Sequence, residues 1–545
     1  MRQGISIVRI FSGMAVMNSK INEQTQSNIA DPVAQAVDVG DADYLQRINA
    51  AHVYDVALET QLQHAHALSL RLKNKVYLKR EDTQPVHSFK LRGAYNKMAQ
   101  LTPEQRAKGV ICASAGNHAQ GVALSGQKLG IRSVIVMPRT TPEIKVRAVE
   151  SFGGEIILHG DGYDDASAHA LKLQKEQGLT YVHPYDDPQV IAGQGTVGME
   201  ILRQHPEKLH AIFCCVGGGG LVSGVAAYVK SVRPVIRVIG VEPDDAPSMT
   251  RSLEAGERIT LDTVGLFADG AAVRRVGEEP FRLAQKHVDG MLLVSADEIC
   301  AAVRDIYEDT RSLAEPAGAL ALAGLKKYIA QTGVTGEDMV AIQSGANVNF
   351  DRLRYIAERA ELGEHREALL AVTIPERPGS FREFCEILGE RGITEFNYRY
   401  ADAREAHIFV GVKLSRGPQE RDELIGQLRS ADYPVTDFSN DEMAKLHVRY
   451  MVGGRAAGID NEMLFRFEFP ERPGALLNFL NNVGDRWNIS LFHYRNHGHA
   501  YGQVLVGMQV PDAERDDCRG ALDALGYSYA EESDNPAYRF FLSGS

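Results

Sequence analysis

The residue in this chain best suited to covalent chemistry is Lys90, at the centre of the segment SFKLRGA, residues 88–94. It follows an aromatic residue and opens an apolar helical pattern that continues to Met98, so we expect its amine to lie near a buried wall. Burial disfavours the charged amine and lowers its pKa, which makes the neutral, nucleophilic form available for Schiff-base chemistry. On this segment alone, a structural lysine is the alternative.

Two glycine-containing turns follow apolar runs and offer places for an anion. The first, residues 114–121 (SAGNHAQG), has small residues that let backbone N–H groups approach a ligand at a helix start. Its alternative is an ordinary helix start with Asn117 as the capping residue. The second, Gly217–Gly220, precedes a helix that begins near Leu221. Four consecutive glycines cost backbone entropy, and their N–H groups can wrap one phosphate.

Two other phosphate-binding patterns fit the tetraglycine poorly. A Walker loop needs Lys followed by Ser or Thr, and no lysine follows Gly220. A dinucleotide fingerprint needs a third glycine where Val222 or Ser223 stands. Glu242, at the end of the next predicted strand, nevertheless stands where a ribose-binding acid would, so the dinucleotide alternative is weakened and stays open.

The elements that position these residues form an α/β pattern. Because the predicted strands are apolar throughout and alternate with helices, they predict parallel sheets flanked by helices, with ligands at the carboxyl ends of strands. Ser344 stands at such an end, and helical spacing also runs from Ala42 to about Lys73. Strands are predicted at 75–80, 110–113, 133–137, 155–158, 211–216, 235–241 and 340–343, and helices at about 119–129, 142–152, 164–177 and from 310.

The C-terminal third contains an internal repeat. The motif PERPG at 375–379 recurs 95 residues later, and the pair Tyr398 and Arg399 recurs 96 residues later as Tyr494 and Arg495. Each copy predicts a βαββαβ order, typical of ferredoxin-like α+β modules. The predicted organisation is an N-terminal tail at 1–45, a catalytic domain at 46–360, module 1 at 365–443 and module 2 at 460–545.

Composition narrows the function classes. A net charge of −12 argues against a surface that binds nucleic acid or anionic membranes in general. The sequence contains no run of about 18 apolar residues, so no membrane span is predicted. The six cysteines have no CxxC spacing and read as core residues in a reducing, cytoplasmic environment. No metal site is predicted, although Glu242, Asp244 and Asp245 can be interpreted as cation ligands or as solvated acids.

Taken in order, the lysine segment, the asparagine turn, the tetraglycine and Ser344 resemble the pyridoxal-phosphate enzymes of the tryptophan-synthase-β fold group, fold type II, over residues of about 75–350. Within that group they look like the serine/threonine dehydratases. The resemblance implies that Lys90 binds pyridoxal 5'-phosphate covalently and that Phe89 packs beside the cofactor ring. It also implies that Asn117 forms a hydrogen bond to the 3′ oxygen of the cofactor and that Ser344 faces the pyridine nitrogen. It also assigns the phosphate to Gly217, Gly218, Gly219, Gly220 and the amide of Leu221, and the substrate carboxylate to Ser114, Ala115, Gly116 and His118.

The implied chemistry is loss of a β-hydroxyl from an amino acid. Lys90 would act as general base at Cα, and the cofactor would take up the developing negative charge. A serine at the ring nitrogen cannot keep that nitrogen protonated as a carboxylate would, which favours prompt elimination over racemisation. Ala115 stands where related serine racemases carry a second serine, the base of the opposite face.

The repeated modules resemble the paired ACT-like regulatory domains of biosynthetic threonine dehydratases. This implies deamination of L-threonine, and also of L-serine, in a homotetramer that isoleucine inhibits as the end product and valine opposes. We expect Tyr398, Arg399, Tyr494 and Arg495 to lie near effector sites; the alternative is that they pack the modules together. The rival functions are a serine-preferring dehydratase, a catalytically silent amino-acid sensor and a nicotinamide dehydrogenase.

Overall fold

The computed structural model describes residues 41–400, 404–456, 459, 461–470, 475–483, 486–495 and 501–542. The chain divides into two compact units at the junction of Ala360 and Glu361. Residues 1–40 of the predicted tail lie outside the described part, and the predicted domain bounds stay predictions.

Strands and helices alternate through the first unit. Its strands are β1 Leu62–His64, β2 Lys75–Arg80, β3 Val110–Ala113, β4 Ser133–Met137, β5 Glu155–Leu158, β6 Thr180–Tyr181, β7 Ala211–Cys215, β8 Arg237–Pro243, β9 Gly290–Val294 and β10 Asp338–Gln343. Its helices are α1 Asp41–Asn49, α2 His66–Leu72, α3 Lys90–Ala99, α4 Pro103–Lys108, α5 Asn117–Leu129, α6 Glu143–Ser151, α7 Tyr163–Gln177, α8 Pro188–Gln204, α9 Gly220–Val232, α10 Ser248–Ala255, α11 Glu278–His287, α12 Ala296–Thr310 and α13 Pro316–Thr332, while α14 Arg352–Gly363 crosses the junction.

Two sheets organise the first unit. The larger has the order β1-β2-β10-β7-β8-β9, in which β1 is antiparallel to β2 and the other neighbours are parallel. The smaller has the order β5-β4-β3-β6 and is parallel throughout. Every residue of β3, β4 and β7 is buried, as their continuous apolar runs predict. The α/β fold with parallel sheets flanked by helices is therefore confirmed.

The prediction of helix from the apolar spacing between Ala42 and Lys73 was partly wrong. Only α1 and α2 are helical there, and irregular chain and β1 separate them. Val53 and Ala57 pack in a small cluster with Leu91 of α3, so their spacing reflects a loop that covers this helix. The alanine-rich helix likewise begins at Pro316 and not near 310, because proline lacks the N–H that an interior helical position must donate.

The second unit contains two copies of one βαββαβ arrangement, which confirms the predicted ferredoxin-like order. The first copy comprises β11 Glu367–Pro375, α15 Ser380–Leu388, β12 Ile393–Arg399, β13 Glu405–Lys413, α16 Pro418–Ser430 and β14 Val435–Asp437, followed by α17 Glu442–Leu446. The second comprises β15 Glu462–Pro470, α18 Ala475–Val483, β16 Asn488–Arg495, β17 Tyr501–Gln509, α19 Arg515–Leu525 and β18 Ser528–Glu531, followed by α20 Pro536–Phe541.

The two copies share one eight-stranded sheet, in the order β14-β11-β13-β12-β16-β17-β15-β18. They join where β12 pairs with β16 in antiparallel register, with Tyr398 opposite Phe492. Phe396, Phe465 and Phe492 belong to a single hydrophobic core that extends through both copies. Of the residues described, none lies in a helix long and apolar enough to cross a membrane.

Candidate active site and effector pocket

Lys90 is the first residue of α3 and stands among polar main-chain groups at the carboxyl ends of strands. Its amine donates a hydrogen bond to the carbonyl oxygen of Pro184 at 3.3 Å and lies 5.4 Å from the centre of the Phe89 ring. Burial lowers the pKa of Lys90, and this effect outweighs the nearby Cys215 and Glu315, which act in the opposite direction. The lowered pKa favours the neutral, nucleophilic amine that forms a Schiff base with a carbonyl group.

The tetraglycine forms a cradle that other residues would fill. It connects β7 to α9, and Gly219 has φ of 95°, a left-handed conformation that favours glycine. A Cβ added at Gly218 would lie 2.2 Å from the ring of Tyr185, so there is no room for a side chain at this position. Leu221 is in the first turn of α9, and the free N–H groups of that turn suit a phosphate.

Asn117 is held at both ends of its amide. Its Nδ2 donates to Oε1 of Glu315 at 2.6 Å, and its Oδ1 accepts from Nδ2 of Asn347 at 2.6 Å. Gly116 is the N-cap residue of α5, and Asn117 is the first helical residue. The capping alternative for Asn117 is therefore wrong, because its side chain bonds to other side chains and not to the start of its own helix.

Ser344 follows β10, whose neighbours β2 and β7 lead to the lysine segment and to the tetraglycine. The residue is buried, its hydroxyl donates to the carbonyl oxygen of Ala317 at 3.3 Å, and its own carbonyl accepts from the N–H of Phe89 at 3.3 Å. Ser88 is bridged to Gly345, and its hydroxyl is buried without a hydrogen-bond partner. The sheet order thus brings Ser344 next to the segment that carries Lys90.

The segment proposed to receive a carboxylate forms the entrance to α5. Ser114 accepts from the N–H of Gly116 at 3.3 Å, and a Cβ at Gly116 would meet nothing within 4 Å, so this turn faces open space. Ala115 is partly exposed there. The N–H groups that begin α5 are available to an anion.

His118 differs from its neighbours, because its ring is already engaged. Nε2 lies 2.8 Å from the carbonyl oxygen of Val182, so Nε2 carries the proton and Nδ1 is left as a buried acceptor without a partner. Burial lowers the pKa of His118 to about 3, and the nearby Lys90 adds to this effect. A neutral ring with a free acceptor cannot bind a carboxylate, so any role of His118 there rests on its backbone N–H.

Sequence patterns did not identify the segment 183–187 or Glu315. The carbonyl of Pro184 contacts Lys90, the ring of Tyr185 covers Gly218, and the carboxylate of Asp186 accepts from the N–H groups of two residues that begin α11, at 2.9 and 3.0 Å. A usable signal was present, since this polar stretch directly follows the apolar residues at the end of β6.

Glu242 has a structural task. Its carboxylate accepts from the N–H of Met249 at 2.7 Å, and from the N–H and the hydroxyl of Thr250 at 2.9 and 2.7 Å. These bonds commit it to the first turn of α10, which removes the ribose-binding acid that the dinucleotide alternative needs. Across the described ranges, no group of three or more His, Cys, Asp or Glu residues is arranged to hold a metal ion.

The donor set of this site fits pyridoxal phosphate. A buried amine, a main-chain cradle closed to side chains, a fixed amide and a neutral hydroxyl come together beyond the carboxyl ends of β2, β3, β7 and β10. Lys90 would hold the aldehyde carbon, the tetraglycine the phosphate, Asn117 the ring oxygen and Ser344 the ring nitrogen.

A pocket in the second unit combines polar and apolar walls. The carboxylate of Glu376 accepts from the hydroxyl of Tyr398 at 2.6 Å and from Nδ2 of Asn488 at 3.0 Å. The hydroxyl of Ser380, at the start of α15, is buried without a hydrogen-bond partner. Apolar side chains also line the pocket, among them Ile374, Leu480, Trp487 and Ile489, as do Arg377 and Arg382. We call this the effector pocket, after the effector sites that the sequence predicts for this unit.

The four residues expected near effectors separate in the structure. Tyr398 lines the effector pocket, whereas Arg399 pairs with Glu462 at 2.5 Å and donates to the carbonyl oxygen of Leu542 at 2.7 Å. Tyr494 is buried in the shared core, and the side chain of Arg495 lies outside the described part. Arg399 therefore fits the packing alternative, and of the three side chains that the structure describes, only that of Tyr398 lines the pocket.

Comparison with known proteins agrees with this geometry. Residues 53–345 match the family described as pyridoxal-phosphate dependent enzyme, and residues 358–448 and 453–542 each match the C-terminal regulatory domain of threonine dehydratase. The chain belongs to the pyridoxal-phosphate-dependent enzymes.

Curated relatives narrow the family. L-threonine dehydratase biosynthetic IlvA from Burkholderia multivorans is 58% identical over 92% of this chain and 99% of the relative, and its Escherichia coli counterpart is 57% identical over 92% and 98%. Among solved structures, the processed form of threonine deaminase isoform 2 from Solanum lycopersicum is 51% identical, with a TM-score of 0.58 over 59% of this chain and 93% of that one. The chain is a member of the biosynthetic threonine dehydratases, which are lyases that use pyridoxal phosphate.

Proposed function

We propose that this chain converts L-threonine to 2-oxobutanoate and ammonia, the first step of isoleucine biosynthesis, and that it also accepts L-serine. The observation that carries the proposal is the amine of Lys90, which burial brings toward its neutral form at the strand ends that also present the tetraglycine cradle. The relatives named above are threonine dehydratases, which agrees with this substrate.

The chain's own residues divide the work by position. When bound, the cofactor supplies a sink for the negative charge that develops at Cα. Lys90 is the group that can take the Cα proton, because its amine is buried and its pKa is lowered. The turn from Ser114 to Gly116 faces open space at the start of α5 and can orient the substrate carboxylate. The hydroxyl of Ser344 is uncharged, so it does not hold a ring nitrogen in its protonated form.

Reductive trapping tests this assignment. Borohydride treatment of the holoenzyme followed by peptide mass analysis should place the cofactor on Lys90, and Lys90→Ala should abolish both labelling and 2-oxobutanoate formation. Lys97→Ala is the matched control, because Lys97 lies on the same helix and pairs with Asp187 at 2.7 Å. Label on another residue, or activity in Lys90→Ala, contradicts the proposal.

Substrate preference distinguishes a threonine dehydratase from a serine-preferring dehydratase. One methyl group distinguishes threonine from serine and is worth only about 1–3 kcal/mol of discrimination. We expect the kcat/KM for threonine to exceed that for serine. A higher value for serine identifies the serine-preferring dehydratase, and effector binding without activity on either substrate identifies the silent sensor.

We further propose that isoleucine binds the effector pocket as feedback inhibitor and that valine opposes it. Glu376 can pair with an amino group, while the hydroxyl of Ser380 and the N–H groups that begin α15 can receive a carboxylate. Ile374, Leu480 and Ile489 offer an apolar wall for a branched side chain. The pocket thus presents a separate partner for each part of an aliphatic amino acid.

Titration calorimetry tests this effector site. Tyr398→Phe and Asn488→Ala each remove a donor to Glu376, and each should weaken isoleucine binding by on the order of tenfold. Tyr529→Phe is the control, because it removes a hydroxyl that donates to Asp523 outside the pocket. Unchanged isoleucine affinity in both pocket variants excludes this location.

Assembly and location complete the proposal. We infer a homotetramer in the cytoplasm, where the six buried, unpaired cysteines stay reduced. Light scattering of the holoenzyme should give the mass of four chains, and a smaller mass contradicts the tetramer.

A further inference from the structure

Glu315 is a buried carboxylate that points into the cofactor site. It occupies the N-cap position of α13, yet its side chain makes no capping bond to that helix. Its Oε1 instead accepts from Nδ2 of Asn117 at 2.6 Å. A Cβ added at Gly345 would lie 2.4 Å from the same Oε1, so the turn after Ser344 leaves room for this carboxylate. The local chain is shaped around the bond between Glu315 and Asn117.

Asn347 determines which way the amide of Asn117 faces. Its Nδ2 donates to the carbonyl oxygen of Val86 at 2.8 Å and to Oδ1 of Asn117 at 2.6 Å. Because both hydrogens of that nitrogen are used, the atom of Asn117 that faces Asn347 is the oxygen and the atom that faces Glu315 is the nitrogen. One N–H of Asn117 bonds to Glu315, and its second N–H remains for a ligand.

We propose that Glu315 is a positioning residue for the cofactor: it holds Asn117 so that the remaining N–H faces the ring oxygen of pyridoxal phosphate, and it places an ionisable carboxyl beside that donor. The proposal rests on the cofactor site described above. It assigns a role to a residue that makes no covalent bond and takes no proton from substrate.

The charge on Glu315 responds to pH near neutrality. Burial raises the pKa of Glu315 to about 7, Asp269 adds to the increase, and the bond from Asn117 and the charge of Lys145 oppose it. Lys90 and Cys215 are the other titrating groups that sense its charge. Ionisation therefore adds a negative charge next to both Asn117 and Lys90 as the pH rises through this range, which favours the protonated state of the nitrogen at Lys90.

Two substitutions separate the hydrogen bond from the charge. Glu315→Gln keeps an oxygen that accepts from Asn117 but removes the charge, whereas Glu315→Ala removes both. The matched control is Glu367→Gln, which neutralises a buried glutamate of the second unit whose pKa is also raised to about 7. The two measurements are the dissociation constant of pyridoxal phosphate, from equilibrium dialysis, and the visible absorption of the bound cofactor from pH 6 to 8.5.

We expect the absorption of the wild-type protein and of Glu367→Gln to change near pH 7. Glu315→Gln should bind the cofactor within about threefold of wild type but lose this change. Glu315→Ala should bind on the order of tenfold more weakly. Asn347→Ala, which removes the opposite anchor, should also weaken binding and gives a second test if Glu315→Ala fails to fold.

The outcomes are separable. If borohydride does not label Lys90 in the wild-type protein, the cofactor site itself is wrong and this proposal falls with it. If Lys90 is labelled but the Glu315 and Asn347 variants keep wild-type affinity and the same pH dependence, only the positioning role is overturned.

Discussion

Arg92 donates from Nη1 to Oε1 of Glu200 at 2.6 Å, and both side chains are fully inaccessible to solvent. The same guanidinium donates from Nε to Glu81 at 2.7 Å, and Lys79 donates to the other oxygen of Glu200 at 2.6 Å. Two positive and two negative side chains are thereby paired in one buried cluster. Because Arg92 follows Lys90 by two residues in α3, this cluster anchors the helix that carries the amine.

Replacing Arg92 should destabilise the first unit. Arg92→Met leaves two buried carboxylates undercompensated, and losing one partner of a buried ion pair costs about 3–5 kcal/mol. Urea unfolding should be followed by far-ultraviolet circular dichroism, because the single tryptophan, Trp487, reports on the second unit. The control Arg132→Met breaks an exposed pair with Glu155 and should cost at most about 1 kcal/mol. Equal losses in the two variants would show that the cluster is not an anchor.

Gly218→Ala should weaken the binding of the cofactor phosphate. The new methyl group would meet the ring of Tyr185, and relieving that contact by moving either group costs about 1–3 kcal/mol. We expect a rise of about tenfold in the dissociation constant of pyridoxal phosphate, measured by equilibrium dialysis. Gly290→Ala, in β9, is the control, because its Cβ would meet nothing within 4 Å. Wild-type affinity in Gly218→Ala argues against the tetraglycine as the phosphate cradle.

Arg399 and Tyr398 should respond differently although they are adjacent. Arg399→Met leaves the carboxylate of Glu462 buried without its guanidinium partner, so the second unit should lose about 3 kcal/mol in urea unfolding followed by Trp487 fluorescence. The folded variant should bind isoleucine as wild type does. Tyr398→Phe should show the opposite pattern, with weaker isoleucine binding and a smaller loss of stability. An effector defect in Arg399→Met without lost stability would restore Arg399 to the effector site.

Glu367 should make the second unit less stable as the pH rises. Burial raises its pKa to about 7, which outweighs the Arg449 guanidinium 3.6 Å away. The folded state therefore binds a proton that the unfolded chain releases near its ordinary value of 4.5. The stability contribution is complete below that value and is lost as the pH rises through 7, by up to about 3 kcal/mol.

Glu367→Gln isolates this effect. Its stability should fall less than that of wild type between pH 5 and pH 8, as measured by Trp487 fluorescence in urea. Glu442→Gln, which neutralises a half-exposed carboxylate that pairs with Lys445, should keep the wild-type pH dependence. Parallel pH profiles for wild type and Glu367→Gln would show that Glu367 ionises at its ordinary pKa.

Much of this protein can be predicted from local pattern. The ends of strands such as β3 and β4 were predicted to the residue. A short, continuous apolar run between polar and glycine residues predicts a buried strand, and the flanking residues mark where that strand begins and ends. Lys90 was recognisable because a lysine is unusual in an apolar helical pattern. The tetraglycine was recognisable because four consecutive glycines cost more backbone entropy than an ordinary turn requires. The repeat gave the two modules of the second unit, since each PERPG motif begins at the last residue of its module's first strand, Pro375 of β11 and Pro470 of β15.

Tertiary structure alone determined the contacts between residues that are far apart in the chain. Glu315 joins Asn117 across 198 positions, the segment containing Tyr185 covers Gly218, and Arg399 turns away from the effector pocket that its neighbour Tyr398 lines. No local period encodes such pairs, because strand order and helix packing bring them together. The sequence by itself determined most of the long elements and the chemistry of the single amine, whereas the fold determined which buried charges and amides surround it.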